Sequence, residues 1–136
     1  MSEFTLSVLE ADQPFYVGKC LSVTVPTVEG QYGVLAHHSN TVAAVRPGLL
    51  EITLPDGEKR TAAVSEGIMK IENNEVLILV DSAERPEDID VIRAQRCADE
   101  AREQLMQKRS IIEHRAAEAY LARALNRIKI GSRGKF

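Results

Sequence analysis

Val76-Leu77-Ile78-Leu79-Val80 and, shortly after, Arg85-Pro86-Glu87-Asp88-Ile89-Asp90 bracket the point where the chain changes character. The first run is apolar and rich in β-branched residues, with turn-forming residues on both sides. It reads as a strand, and its apolar side chains on both alternate faces predict a central strand covered on both sides. The second run places Pro where the first turn of a helix needs no N–H. Glu87, Asp88 and Asp90 sit where a helix dipole favours negative charge. From Asp88 to Ile130 there is neither Gly nor Pro. The chain is therefore read as β before residue 85 and α from residue 86.

Upstream, the period is two. Phe4-Thr5-Leu6-Ser7-Val8-Leu9, Leu21-Ser22-Val23-Thr24-Val25 and Leu50-Glu51-Ile52-Thr53-Leu54 alternate apolar and polar. Pro55-Asp56-Gly57 supplies a turn, and residues 58–64 return as its partner strand. Ile68-Met69-Lys70-Ile71 faces Val76–Val80 across Asn73-Asn74, a pair that tolerates the left-handed geometry of a tight hairpin. Short strands at such intervals predict a sandwich or barrel. With no Trp, three Tyr and three Phe, its core must be aliphatic.

Downstream, Val91, Ala94, Ala98, Ala101 and Leu105 form one apolar stripe at helical spacing. Ser110-Ile111-Ile112-Glu113 fits a capping box and starts a second helix. Its stripe is Ala117, Leu121, Ala124 and Ile128, and Gly131 and Gly134 are expected to end it. The short connection near Lys108-Arg109 predicts an antiparallel hairpin. Ala-rich stripes bury little area, so the helices are expected to be locally stable but weakly docked. A permanently packed appendage and a conformational switch both fit that description.

Charge follows the same division. Residues 1–87 carry six Lys and Arg against thirteen Asp and Glu, a net of −7, whereas residues 88–136 carry eleven against seven, a net of +4. A basic tail suits an acidic surface or a phosphate, or simply a solvated face. No apolar run is long enough to span a membrane, and the N-terminus does not read as a secretory signal. Cys20 and Cys97 are far apart and are expected to be reduced thiols.

Chemistry-bearing constellations are few. His37 and His38 are adjacent but lack companions at metal-ligand spacing, so no metal is expected. Neither a Walker-type phosphate loop nor a nucleophile elbow is present, and no catalytic residue is assigned. Asp81 and Glu84 follow a strand and suit capping or turn roles. In an antiparallel hairpin, Asp90 and Arg93 at the start of one helix lie beside Arg123 and Arg127 late in the other. Such a cluster would suit phosphate oxygens and an adenine or ribose donor, or interhelical ion pairs alone.

The order and spacing of several segments resemble the epsilon subunit family of bacterial F-type ATP synthases. They are Glu29-Gly30-Gln31-Tyr32-Gly33-Val34-Leu35 with His38, which matches a family loop signature, then residues 46–52, 64–71 and 74–81. Ala83-Glu84, Glu87-Asp88-Ile89-Asp90 and Arg93-Ala94 complete the set. The resemblance implies a β + α chain: a β-sandwich of about ten strands over residues 1–85, then an antiparallel two-helix hairpin over residues 86–136. It implies a non-catalytic central-stalk subunit on the cytoplasmic face of the cell membrane, meeting the membrane only through its complex. The gamma subunit and c-ring would be its partners, with no nucleic acid. The extended helices would meet alpha and beta subunits and inhibit ATP hydrolysis. Some members bind ATP as a regulatory ligand, which by position implicates Glu84, Asp90, Arg93, Arg123 and Arg127. This chain has Glu100 where those members carry a further Arg, and Ala36 and Asn40 where Pro is usual. A generic β-sandwich adaptor is the alternative.

Overall fold

The structure is a computed structural model that describes residues 2–106 and 111–133. Contacts divide the chain into two compact units, Met1–Glu84 and Arg85–Phe136.

The first unit is built from β1 (Phe4–Leu9), β2 (Pro14–Cys20), β3 (Ser22–Thr27), β4 (Gly30–Leu35), β5 (Thr41–Val45), β6 (Gly48–Thr53), β7 (Lys59–Val64), β8 (Gly67–Glu72), β9 (Glu75–Val80) and β10 (Ala83–Glu84). They form two five-stranded arrays, β4-β3-β6-β7-β10 and β5-β8-β9-β1-β2, joined where Thr27 of β3 pairs with Val45 of β5. All pairings are antiparallel except β1 with β9, which is parallel. Alternation sets which side chains turn inward. Leu6 and Val8, Val23 and Val25, Leu50 and Ile52, and Met69 and Ile71 are buried at every second position. Among the described residues, Phe4 is the one aromatic side chain fully buried in a mainly aliphatic core, with Phe15, Tyr16 and Tyr32 packed against its edge.

The turns follow from their residues. Gly57 takes a φ of 89°, and the Asp56 carboxylate accepts the N–H of Glu58 at 2.9 Å. Asn73 and Asn74 have φ of 51° and 60°, the two left-handed positions of a tight hairpin turn. Gly67 lies so close to the backbone of Leu79 that no Cβ could be accommodated there.

Three expectations are corrected here. Residues 30–35 form a strand, not a loop: β4 pairs with β3 along its whole length. Two glycines and an exposed edge hide its alternation. Strand β9 is central between β8 and β1 but is covered on only one face, because Leu79 is 42% exposed and Leu77 half-buried. Apolar composition does not distinguish a covered face from one left open. The acidic Pro86–Asp88 stretch is a separate 3-10 turn. Ile89 interrupts it with extended backbone, and the α-helix begins only at Val91.

In the second unit, α1 (Val91–Met106) buries Ala94, Ala98 and Ala101, and α2 (Ile111–Arg133) buries Ala117, Ala124 and Ile130. The expected stripes are thus the packed faces. Ser110, Lys108, Arg109 and Gly134 lie outside the described residues. Gly131 does not end the helix. It is buried within α2, and a Cβ there would come within 2.8 Å of Val91 Cγ2 and 2.9 Å of Ile89 Cγ2. Its missing side chain lets the end of α2 approach the start of α1, which makes the pair antiparallel.

Candidate functional site

Two places in the molecule offer binding chemistry, one in each unit. In the hairpin, Asp90 is the N-cap of α1. Its carboxylate accepts the N–H of Arg93 at 3.0 Å, and its carbonyl accepts the N–H of Ala94 at 3.0 Å. Arg93 projects from the first turn and is exposed. Arg127 lies about one helical turn before Gly131 and so shares a level with that first turn. Arg123 is one turn farther along, and both of these arginines are half-buried. The hairpin therefore places Arg93, Arg123 and Arg127 toward one end of the helix pair. Glu84 belongs to β10, in the other unit.

Next along the seam, the Cys97 thiol hydrogen-bonds the Tyr120 hydroxyl. That bond, together with burial and the nearby Cys97 and Glu100, pushes the phenol above its usual pKa, and Arg123 opposes the shift. Glu100 and Arg123 thus act on one hydroxyl from opposite signs.

In the sandwich, the candidate is a surface. Cross-strand pairing lines up Ala44 with Ile68, Ile68 with Leu79, and Leu79 with Leu9, making one row across β5, β8, β9 and β1. In the neighbouring row of the same outer face, Val42, Leu77 and Val17 alternate with Lys70 and Ser7, with Val42 at 66% and Val17 at 62% exposure. The exposed apolar row from Ala44 to Leu9 is the kind of surface that marks a docking region. The sequence signal lies in the apolar outer positions of β9, Leu77 and Leu79, which composition alone does not distinguish from a covered face.

The histidines do other work. The carbonyl of Ser39 can only accept, which assigns the proton of His38 to Nδ1 at 2.8 Å. Nε2 then accepts the Tyr32 hydroxyl at 3.0 Å. His37 has a φ of 64°, and its N–H donates to Asn74 Oδ1 at 2.7 Å. Among the described residues, no group of three or more His, Cys, Asp or Glu gathers as metal ligands. No described helix is long and apolar enough to cross a membrane. Cys20 is buried and Cys97 half-buried, both as free thiols.

A ten-stranded sandwich followed by two long helices defines a class of two-module ATP synthase subunit. The ATP synthase delta/epsilon chain β-sandwich domain matches residues 3–86, and the long α-helix domain of the same chains matches residues 87–131. The ATP synthase epsilon chain of Ruminiclostridium cellulolyticum is 40% identical over 133 residues, covering 98% of both chains. That of Caldanaerobacter subterraneus is 42% identical over 131 residues, covering 96% of this chain and 94% of the relative. A chain in the cryo-EM structure of the Euglena gracilis mitochondrial ATP synthase, OSCP/F1/c-ring, superposes with a TM-score of 0.78 at 26% identity, over 93% of this chain and 79% of that one. A chain of the Tetrahymena thermophila central stalk/c-ring shares the fold, with a TM-score of 0.62 at 11% identity over 97% and 96%. The chain belongs to the ATP synthase delta/epsilon chain family. Its role is that of an epsilon subunit of ATP synthase.

Proposed function

We propose that the chain is a non-catalytic rotor-stalk subunit whose sandwich holds it to the gamma subunit and the c-ring, and whose helical tail brakes ATP hydrolysis. The observation that carries this reading is the pairing of an acidic sandwich having an open apolar face with a basic tail held together by an Ala-rich seam. The apolar row across β5, β8, β9 and β1 supplies the kind of surface a permanent partner covers. The tail seam is built from small residues, so opening it forfeits little apolar burial. Its positive charge suits acidic segments on alpha and beta subunits. Membrane association comes only through the complex, at the cytoplasmic face.

The test is truncation after Asp88 in the assembled complex. The sandwich should still co-purify with gamma, and ATP hydrolysis should rise several-fold. Unchanged hydrolysis removes the brake, whereas loss of gamma removes the stalk assignment.

A second reading is supported by the level shared by Arg93 and Arg127. ATP binds the folded hairpin, with Arg93, Arg123 and Arg127 facing phosphate oxygens and Asp90 beside them. Guanidinium groups fit the charge of a triphosphate. Glu100 puts a carboxylate where a further arginine would favour phosphate, so binding is expected to be weakened. Calorimetry on the isolated subunit decides it. No heat with ATP, or the same heat after Arg93→Ala, rejects the site.

A further inference from the structure

The last residues of the sandwich are held by side chains as well as by the sheet. β10 has only two residues, Ala83 and Glu84, paired with Val64 and Ala63 of β7. Such a short strand has too few ladder bonds to hold itself. Two side chains from distant parts of the chain supplement it. Ser65, 2% exposed, accepts the N–H of Ser82 on its hydroxyl at 2.8 Å, and its own N–H donates to the Ser82 carbonyl at 3.0 Å. Glu10, at the end of β1, accepts the N–H of Ala83 on one carboxylate oxygen at 2.9 Å. Gln13 steadies Glu10 from across the turn: its carbonyl accepts the Glu10 N–H at 2.9 Å, and its amide reaches the second carboxylate oxygen at 3.4 Å.

We propose that Glu10 and Ser65 form a two-point latch on Ser82 and Ala83, which fixes where the sandwich ends and so sets the pivot of the helical tail at Arg85. Arg85 is the first residue past β10, is exposed, and is extended before Pro86, with φ −72° and ψ 142°. The residue before a proline is restricted to such extended geometry. It therefore acts as a stiff exit rather than a slack one. Asp81 keeps its own backbone bond to the Glu66 carbonyl at 3.3 Å, so with the latch open Ser82 to Glu84 join the linker, and the tail gains about 10 Å of reach. The latch thus limits how far the tail travels. This rests on the reading above only in supposing that the tail moves; the latch itself lies wholly within the sandwich.

The test is residue-resolved amide exchange by NMR on the full-length subunit, comparing Glu10→Ala, Glu10→Gln and Ser65→Ala with the parent. A latch is cooperative, so each variant must free the amide held by the other side chain. Glu10→Ala should speed exchange at Ser82 about tenfold, and Ser65→Ala should do the same at Ala83. Glu10→Gln keeps an acceptor oxygen and should stay near the parent. The amides of β8 and β9 should not change. Exchange raised only at the amide that each side chain itself bonded overturns the proposal, as does unchanged exchange at both. If Ser65→Ala loses the sandwich, the Ser82 amide in Glu10→Ala decides alone. ATP hydrolysis is not measured, so failure of the brake and failure of the latch are separate results.

Discussion

The carboxylate of Asp90 accepts the backbone N–H of Arg93 at 3.0 Å, so an acid that resembles a ligand contact is already engaged in starting a helix. The cap fixes the first turn and with it the base from which the Arg93 side chain projects. Asp90→Ala should destabilise the hairpin by about 1 kcal/mol, read as fraying of α1 in amide exchange. Asp90→Asn keeps a capping oxygen and should restore the helix. If ATP binds, a response lost in Asp90→Ala but kept in Asp90→Asn shows that Asp90 acts by positioning Arg93. A response lost in both shows direct contact.

Gly131 is a close approach between the end of α2 and the start of α1. Gly131→Ala should raise helix propensity by about 1 kcal/mol while pressing a methyl against Val91 and Ile89, which costs about 1–3 kcal/mol. Circular dichroism should therefore show undiminished helix, while exchange in the first turn of α1 should speed up. In the assembled enzyme, a more easily opened hairpin should lower ATP hydrolysis. Hydrolysis equal to or above the parent's would count against a brake that works by opening.

Asn74 ties three segments together. Its side chain accepts the His37 N–H at 2.7 Å and donates to the Glu3 carbonyl at 3.1 Å, while its backbone holds a φ of 60°. Asn74→Gly keeps the turn and removes both bonds, so it should cost about 1–2 kcal/mol. Asn74→Ala adds left-handed strain and should cost about 1 kcal/mol more. Urea titration of the two variants separates the clamp from the turn.

Burial pushes the Cys20 thiol up from 9.0 to about 11, with the Glu3 charge adding to the shift. The folded state therefore keeps its proton at a pH where the unfolded chain has released it. The associated stability is whole below about pH 9 and is lost as pH rises toward 11, an effect of about 2–3 kcal/mol. Cys20→Ala should show a smaller loss than the parent over that interval. Native Cys20 should also resist alkylation while Cys97 reacts.

Sequence by itself determined the division of this chain at residues 85–86 as an expectation, the core faces of β1, β3 and β6, and the Ala stripes of both helices. Each of these rests on a local period, and a local period is visible in a linear chain. The turns at Asp56-Gly57 and Asn73-Asn74 were legible for the same reason, since positive φ selects its residues locally. The resemblance supplied the remaining strands as a number, not as positions. The tertiary structure decided what period cannot encode. It left the outer face of β9 open, because covering a face depends on which element lies beyond it. It turned Gly131 from an expected stop into a packing contact, because only the neighbouring helix fills the space a Cβ would need. It also brought Glu10 and Ser65, far from β10 in sequence, to the two amides that close the sandwich. Nothing local to a glutamate or a serine reveals which distant N–H it will bind.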